Sequence, residues 1–463
     1  MKYHLITYGC QMNRSDSERI AAVLEKIGYS PIPDEKEADL IVINVCSVRQ
    51  SAVDRVYGKI SQILKLKTQN HNSKPKIVLT GCLLPKDKEK LKNQVDFIFD
   101  INQLANLPQI LSQVRANSKS RQFKNLKLKI KNYLEIRPKF STYPLAYVPI
   151  MTGCNNFCTY CVVPYTRGRE ISRPAKEILC EVKQLLKDGY KMIVLLGQNV
   201  NSYKSQIPSS KSQIPSPKSQ KNSKDRLITF PKLLKMINNL KGNFWLTFIT
   251  SHPKDLSDEL IETMAKCKKV MPYLHLPVQS GDNEILKKMN RHYTVAHYKK
   301  IIKKVRQSFS LFRNGIEKNV NISTDIIVGF PTETRKQFAN TKKLMKEVKF
   351  DMAYLAKYSP RSGTQAAKLK DDIPSKEKER RWKILVNILK KTALENNKKY
   401  LNKILDALII KQKGGHLYGQ VKSFKNIKIP NDKIQVSNSN LIGQFVKVKI
   451  TKAIPWGLEG KII

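Results

Sequence analysis

The sequence contains no apolar run that approaches the ~20 consecutive residues a membrane-spanning helix needs. Its first residues lack the long apolar segment and the small-residue cleavage site of a secretory signal peptide. Disulfide frameworks are also not expected, because the eight cysteines are spread over 463 residues without a secretion signal. These absences argue against membrane and secreted proteins, and they predict a cytoplasmic protein with reduced, metal-ligating or redox-active thiols.

Acidic residues are scarce, since 37 Asp plus Glu stand against 85 Lys plus Arg, which gives a formal net charge of +48. A field of that sign attracts polyanions and favours salt-dependent binding to nucleic acid. The lysine excess runs along nearly the whole chain, however, and genome-wide codon bias could produce it without any function. Charge alone therefore leaves nucleic-acid binding as a hypothesis that the motifs must support.

Segment 151–169 concentrates three of the cysteines, Cys154, Cys158 and Cys161. Structural zinc sites use four protein ligands, usually as two separated pairs. A 4Fe-4S cluster is normally held by four cysteine thiolates, so three in one loop would leave one iron open for another ligand. The alternative is a structural metal loop or a chance cluster of cysteines.

Residues 1–115 alternate short apolar strands with helices, a pattern that predicts a doubly wound parallel sheet. Cys10, Cys46 and Cys82 each stand at or just after the end of a predicted strand. Because ligands bind at the carboxyl ends of such strands, the three cysteines should meet in one crevice. They predict a second three-cysteine iron–sulfur site; the alternative is that they are buried thiols that pack as small hydrophobes.

Residues 146–372 contain six further strands that alternate with helices and predict a partial, six-unit form of the TIM barrel. The Lys/Ser/Pro-rich repeat at 204–224 cannot bury a core, and it predicts a disordered surface insertion. The predicted strands are Tyr147–Met151, Met192–Leu196, Phe244–Thr250, Tyr273–Leu276, Ser323–Val328 and Met352–Lys357.

The remaining segments are basic. Residues 116–145 form a connector that is either a strand facing RNA or a solvated ribbon, and residues 373–400 form a helical linker. Residues 401–463 predict a small basic β-barrel, a common nucleic-acid-binding module. Its predicted strands are Ala407–Lys411, Leu417–Val421, Ile434–Val436, Gln444–Ile450 and Gly457–Lys461.

The C-x3-C-x2-C spacing of the cysteine loop, with Tyr160 before the third cysteine, resembles the radical S-adenosylmethionine (SAM) superfamily. With segments 8–13, 162–168 and 274–281, nearly the whole chain resembles the methylthiotransferase family of radical SAM enzymes. That family combines an N-terminal methylthiotransferase domain, a radical SAM barrel and a C-terminal TRAM domain. The motifs are most similar to the branch that converts N6-isopentenyladenosine beside the tRNA anticodon to its 2-methylthio derivative. Two departures are Val45, where the family usually has Thr, and the insertion.

The resemblance implies two 4Fe-4S clusters and two SAM molecules per turnover. A cluster on the cysteine loop would reduce SAM to methionine and a 5′-deoxyadenosyl radical, which removes the C2 hydrogen of the adenine. An auxiliary cluster on Cys10, Cys46 and Cys82 would carry the sulfur that a second SAM methylates. The implied partners are a tRNA anticodon stem-loop, an electron donor such as flavodoxin or ferredoxin, and a sulfur and cluster supply system.

Individual polar residues receive more specific expectations. Gln11 and Asn13 are expected beside the auxiliary cluster. The predicted SAM contacts stand at or near the ends of the barrel strands, and they are Gln198, Ser251, Gln279 and Asp325.

Four further residues could have a structural role only. Arg167 and Arg173 either contact SAM or a tRNA phosphate, or form surface salt bridges. Cys180 is expected in a helix core, and Cys267 at the surface. For the whole chain, two other functions stay open: a sister enzyme acting on threonylcarbamoyladenosine in tRNA, and a non-catalytic iron–sulfur RNA-binding protein.

Overall fold

A computed structural model describes residues 1–47, 50–69, 75–114, 132–206, 227–430 and 441–463. The chain divides into two compact units. The first comprises Met1–Ser141, Thr152–Glu170 and Ser359–Lys368, and the second comprises Thr142–Met151, Ile171–Tyr358 and Leu369–Ile463. Most of the predicted connector and most of the repeat insertion lie outside the described residues. The expected strand Ile434–Val436 lies wholly outside them. In the part of the chain that is described, no helix is long and apolar enough to cross a membrane.

The first unit contains a five-stranded parallel sheet with the order β2-β1-β3-β4-β5, which confirms the predicted doubly wound architecture. The strands are β1 (Lys2–Tyr8), β2 (Ser30–Pro31), β3 (Leu40–Cys46), β4 (Lys76–Cys82) and β5 (Phe97–Ile98). The helices between and after them are α1 (Gln11–Lys26), α2 (Gln50–Gln69), α3 (Pro85–Leu91) and α4 (Leu107–Val114). The strand order reverses between β1 and β3, the point at which doubly wound sheets bind their ligands.

The apolar residues explain why this sheet forms. All seven residues of β3 are buried, as expected for a central parallel strand that helices cover on both faces. Val56, Ile60 and Ile63 recur at helical spacing along α2 and pack against Ile41 and Ile43 of β3 in one core. Cys46 and Cys82 are the last residues of β3 and β4, at the carboxyl edge of this sheet.

The second unit contains six parallel strands in two sheets, β6-β9-β12 and β13-β14-β15, which confirm the predicted partial barrel. A single parallel bridge between Leu246 and Val270 continues the first sheet toward the second. The strands of this region are β6 (Leu145–Pro149), β7 (Met151–Thr152), β8 (Ile171–Ser172), β9 (Met192–Leu196), β10 (Lys204–Gln206), β11 (Leu227–Thr229), β12 (Trp245–Ile249), β13 (Tyr273–His275), β14 (Asn321–Val328) and β15 (Met352–Lys357).

Helices follow the strands, and several begin at a capping side chain. Ser257 accepts the Leu260 N–H at the start of α8, and Thr334 with Gln337 forms a capping box at the start of α11. The helices are α5 (Val163–Thr166, in the first unit), α6 (Ala175–Lys187), α7 (Phe230–Asn238), α8 (Asp258–Lys266), α9 (Asn283–Lys288), α10 (Val295–Phe312), α11 (Arg335–Val348) and α12 (Ser375–Lys398).

The C-terminal strands close into a five-stranded barrel with the order β16-β17-β18-β20-β19, as expected for a small β-barrel. The strands are β16 (Ile404–Lys413), β17 (His416–Val421), β18 (Asn426–Ile429), β19 (Phe445–Ile454) and β20 (Gly457–Ile462). The sequence did not predict β18. Its four residues are too few to show an alternation, and they become a strand by pairing with β17 and β20.

Candidate active site

Cys10, Cys46 and Cys82 lie together at the carboxyl edge of the N-terminal sheet. Cys46 and Cys82 end β3 and β4 and are register partners in the parallel ladder. Cys10 follows β1 and stands at the N-cap of α1. A hydrogen bond from the Cys46 side chain is the main cause that lowers the pKa of the Cys10 thiol to about 6. The three thiols therefore meet at the point where the strand order reverses.

Small residues and unpartnered polar atoms surround these thiols. A Cβ on Gly9 would lie 2.8 Å from the Cys46 Cβ, so only glycine allows this close approach. Asn13 is buried, and its amide donates to Asn44 Oδ1 at 3.0 Å, which fixes the start of α1 against β3. Ser47 Oγ is buried without a hydrogen-bond partner. Three convergent sulfur ligands, which iron prefers in proteins, fit a three-cysteine iron–sulfur cluster.

The second cysteine set lies in the loop between β7 and α5. Cys154 and Cys158 are each 9% exposed, and Cys161 is half-buried. The Cys161 N–H donates to the Cys158 carbonyl at 2.9 Å, and the Cys154 N–H donates to the Gly168 carbonyl at 3.2 Å. Burial raises the pKa of the Cys154 thiol, which favours its neutral form until a metal is bound. The loop is compact enough to present three sulfurs to one cluster.

Among the residues the structure describes, no three His, Cys, Asp or Glu side chains have the spacing required for one metal ion. A single zinc ion would need its ligands drawn around one point.

Arg167 follows α5 and is buried, with 4% of its surface exposed, so a surface salt bridge, one of the two alternatives for it, is wrong. Its Nε–H donates to Cys82 Sγ at 3.0 Å. Its remaining nitrogens bond to Asp16 Oδ2 at 2.6 Å and to the Tyr133 hydroxyl at 3.1 Å. Burial raises the pKa of the Cys82 thiol, and the guanidinium opposes that rise. Arg167 thus belongs to the environment of the N-terminal cysteines.

Arg173 is also buried rather than part of a surface salt bridge. It donates to the Pro149 carbonyl at 2.7 Å and lies 2.7 Å from Glu181, which is on α6. These contacts fasten the segment before α6 to the end of β6. Arg173 therefore has a structural role in the second unit, whereas contact with SAM or a tRNA phosphate stays a prediction.

Gln198 and Ser251, two of the predicted SAM contacts, lie on neighbouring loops after β9 and β12. The loops are joined by a hydrogen bond of 3.0 Å from the Val200 N–H to the Thr250 carbonyl. Gln198 Oε1 and Ser251 Oγ are buried without a hydrogen-bond partner, and so are polar atoms of Asn199, Asn201 and His252. An unpaired buried polar atom costs about 1–3 kcal/mol, so five of them on adjoining loops indicate a polar ligand. SAM fits this requirement.

Gln279 and Asp325, the other two predicted contacts, lie together on the second sheet of the partial barrel. The Gln279 N–H donates to the Asp325 carbonyl at 2.8 Å, and Gln279 has a positive φ of +70°. A non-glycine residue in that conformation is often found at functional sites. The structure thus brings the four residues together as two pairs, Gln198 with Ser251 and Gln279 with Asp325.

A histidine network on the same sheet was missed by the sequence analysis. His275 Nε2 lies 3.3 Å from Asp325 Oδ2, and His275 Nδ1 lies 2.8 Å from Ser323 Oγ. The Tyr273 hydroxyl reaches the same serine at 2.7 Å. Tyr273 and His275 are two residues apart on a strand, so they share one face. That spacing was visible in the sequence and could have identified the network.

Both expectations for the isolated cysteines are wrong. Cys180 is exposed, because the buried face of α6 carries Ile178 and Val182, and a residue midway between them lies on the opposite side. Cys267 is 6% exposed at the end of α8, where the Arg313 guanidinium donates to its carbonyl. Gln11, expected beside the N-terminal cysteines, is adjacent to Cys10 in the chain and exposed.

Solved structures show where this fold occurs elsewhere. The radical SAM methyltransferase TsrM from Kitasatospora setae aligns with a TM-score of 0.52 and 11% identity, over 79% of this chain and 77% of that chain. The cobalamin-dependent radical SAM enzyme OxsB aligns with a TM-score of 0.50 and 12% identity, over 85% and 56%. At such low identity these likenesses concern the fold alone.

Family models and sequence relatives are more specific. The matching models are an uncharacterized protein family, UPF0004, over residues 2–100, the Radical SAM superfamily over 148–345, and the TRAM domain over 398–463. Two relatives from Clostridium botulinum (strain Langeland) and Thermoanaerobacter sp. (strain X514) are each 40% identical over 100% of this chain, covering 97% and 92% of their own lengths. Both are named tRNA-2-methylthio-N(6)-dimethylallyladenosine synthase. The chain therefore belongs to the radical SAM family of tRNA-2-methylthio-N(6)-dimethylallyladenosine synthases.

Proposed function

We propose that this protein is a radical SAM tRNA methylthiotransferase that installs sulfur and a methyl group at C2 of N6-isopentenyladenosine beside the anticodon. The C2–H bond of adenine is neither acidic nor otherwise labile, so acid–base catalysis cannot exchange it for sulfur. With SAM bound at a reduced iron–sulfur cluster, the protein would have access to radical chemistry, which can remove hydrogen from unactivated carbon. The protein's own contribution is to hold, orient and shield these groups.

The observation that carries the proposal is the pair of separate three-cysteine sets. Cys154, Cys158 and Cys161 would hold the cluster that binds SAM. Cys10, Cys46 and Cys82 would hold an auxiliary cluster from which the inserted sulfur comes, with a second SAM as the methyl donor. An enzyme that cleaved SAM without inserting sulfur would need only the three cysteines of the SAM-binding cluster.

Polar residues of the partial barrel would orient SAM. Gln198 Oε1 would accept a hydrogen bond from SAM and Ser251 Oγ would donate or accept one, because both atoms are buried and neither has a protein partner. Gln279 and the Asp325 carboxylate would bind further polar groups of SAM at the other pair of strand ends. The partners would be a tRNA anticodon stem-loop, a one-electron donor of the flavodoxin or ferredoxin kind, and a sulfur and cluster supply system.

The first test is the anaerobic iron and sulfide content of four proteins. The wild type should contain about eight irons, and the C154A/C158A/C161A and C10A/C46A/C82A variants about four each. A C180A/C267A variant is the matched control and should keep about eight, because its cysteines belong to neither set. About four irons in the wild type and none in C154A/C158A/C161A would contradict the auxiliary cluster.

The second test identifies the reaction. Nucleosides of tRNA from a deletion strain should lack the 2-methylthio group on isopentenyladenosine, and the wild-type gene should restore it. Loss of the methylthio group from threonylcarbamoyladenosine instead would assign the protein to the sister reaction. Failure of the reconstituted, reduced protein to cleave SAM would favour a non-catalytic iron–sulfur RNA-binding protein.

A further inference from the structure

Arg167 lies on the chain segment that carries one cysteine set, and its side chain reaches the other. The segment is fastened to the loop 154–161, since the Cys154 N–H donates to the Gly168 carbonyl at 3.2 Å. From there the Arg167 Nε–H donates to Cys82 Sγ at 3.0 Å, across 85 positions of sequence. One side chain therefore connects the two cysteine sets within the first unit.

The direction of this donor is fixed by the other contacts of the guanidinium. Arg167 Nη2 lies 2.6 Å from Asp16 Oδ2, and Nη1 lies 3.1 Å from the Tyr133 hydroxyl. Tyr133 in turn donates to Asp16 Oδ1 at 3.1 Å. Because the guanidinium is planar and rigid, its short, charge-assisted bond to the Asp16 carboxylate limits where Nε points. Asp16 thus aims Nε at the Cys82 sulfur.

Stability alone is a weak explanation for this arrangement. The side chains of Arg167 and Asp16 are 2% and 0% exposed, so both charges have lost their hydration. A buried ion pair is often no more stabilising than apolar side chains of the same volume. A donor aimed at a ligand sulfur has a different effect, because hydrogen bonds to the sulfurs of an iron–sulfur cluster help to set its reduction potential.

We propose that Arg167 is a positioning residue that fixes the Cys82 sulfur and raises the reduction potential of the cluster on Cys10, Cys46 and Cys82. A donor hydrogen bond stabilises the more negative, reduced state of a cluster over its oxidised state. The role rests on the proposed function, because it requires the auxiliary cluster.

The test uses the C154A/C158A/C161A protein, so that only the auxiliary cluster contributes a signal. Into it we would introduce R167Q together with D16N, which removes the aimed donor without leaving a buried carboxylate unpaired. R167K is a milder change that keeps the charge but not the planar fork. Y133F is the matched control, because it perturbs the same buried network and leaves Nε and Cys82 in place.

The measurements are iron content and the midpoint potential of the cluster, read by electron paramagnetic resonance under controlled potential. We expect four irons in every protein, a more negative midpoint potential for R167Q/D16N, a smaller shift for R167K, and nearly the original value for Y133F. Equal potentials for R167Q/D16N and its parent would overturn the role, as would an equally large shift in Y133F. Absence of iron from the parent variant would instead overturn the auxiliary cluster, and with it the proposed function.

Discussion

At the scale of single residues, Gly153 shows how closely the cysteine loop approaches the segment behind it. Its φ is +79°, and an added Cβ would lie 2.0 Å from the Arg169 carbonyl oxygen. Gly168 has a nearly identical φ of +78°, but a Cβ there would meet open space. An alanine at Gly168 would therefore bear only the cost of a left-handed backbone, whereas an alanine at Gly153 would also collide with the Arg169 carbonyl.

We expect G153A to displace the segment around Arg169 and to lose the cluster of the loop 154–161. Its anaerobic iron content should fall from about eight to about four. G168A should keep about eight irons, because it bears only the cost of a left-handed alanine, roughly 1 kcal/mol. Equal iron contents for the two variants would show that the close contact is dispensable.

His252 gives a prediction about pH. Burial, with Arg291 and Lys254 nearby, lowers the pKa of its imidazole to about 2, whereas an unfolded histidine has a pKa of about 6.5. Below about pH 6.5 the unfolded state therefore binds a proton at this histidine and the folded state does not. The free energy of unfolding therefore decreases as the pH is lowered. The contribution is at most about 1.4 kcal/mol per pH unit.

We expect H252N to flatten the fall of the free energy of unfolding between about pH 6.5 and 5, measured by urea denaturation at each pH. H297N is the control, because His297 is exposed and meets water in both states. If H252N and H297N followed the wild-type curve equally, the burial of a neutral His252 would be refuted.

At the scale of elements, α12 is attached to the end of β14 through a buried ion pair. Arg381 on α12 lies 2.6 Å from Glu333 Oε2, with exposed fractions of 4% and 0% for the two side chains. The Glu333 carboxylate also accepts the Gly329 N–H at 2.8 Å. The neighbouring Arg380 is 54% exposed and pairs with Glu377 at 2.6 Å.

We expect R381M to lower the free energy of unfolding by about 3–5 kcal/mol, because it leaves the Glu333 carboxylate buried without its partner. R380M should cost about 0–1 kcal/mol, the usual value of a surface pair. Urea denaturation of both variants measures the difference. Similar losses would mean that α12 is held by its apolar contacts and that the buried pair is incidental.

At the scale of the whole molecule, the excess of positive charge continues onto the C-terminal barrel. Lys449 on β19 and Lys461 on β20 are exposed and directly opposite each other. Like charges in that relation destabilise a sheet, so an anion between them would relieve the repulsion. A phosphate of the tRNA backbone has the required charge.

We expect K449Q/K461Q to weaken tRNA binding at low salt without lowering the melting temperature. The slope of log K against log salt concentration should become less negative by about 1 to 2, because two phosphate contacts are lost. K300Q/K303Q removes the same charge from the exposed side of α10 and should keep the wild-type slope. If the two double variants had equal slopes, the weaker tRNA binding would be due to the lower net charge of the protein and not to a phosphate contact at Lys449 and Lys461.

The sequence by itself determined the features that depend on local order. The spacing of Cys154, Cys158 and Cys161 predicts that one loop presents three sulfurs, because few residues separate each cysteine from the next. Cys10, Cys46 and Cys82 follow buried apolar runs, and the carboxyl ends of parallel strands share an edge, so their meeting could be predicted without coordinates. The helices and most strands follow from apolar periodicity in the same way.

Only the tertiary structure decided which distant side chains face one another. The burial of Arg167 against Cys82, Asp16 and Tyr133 depends on three segments far apart in the chain. The strand β18 likewise exists through its pairing with β17 and β20. Periodicity reports the neighbours of a residue within its own element, whereas these contacts arise when elements pack against one another.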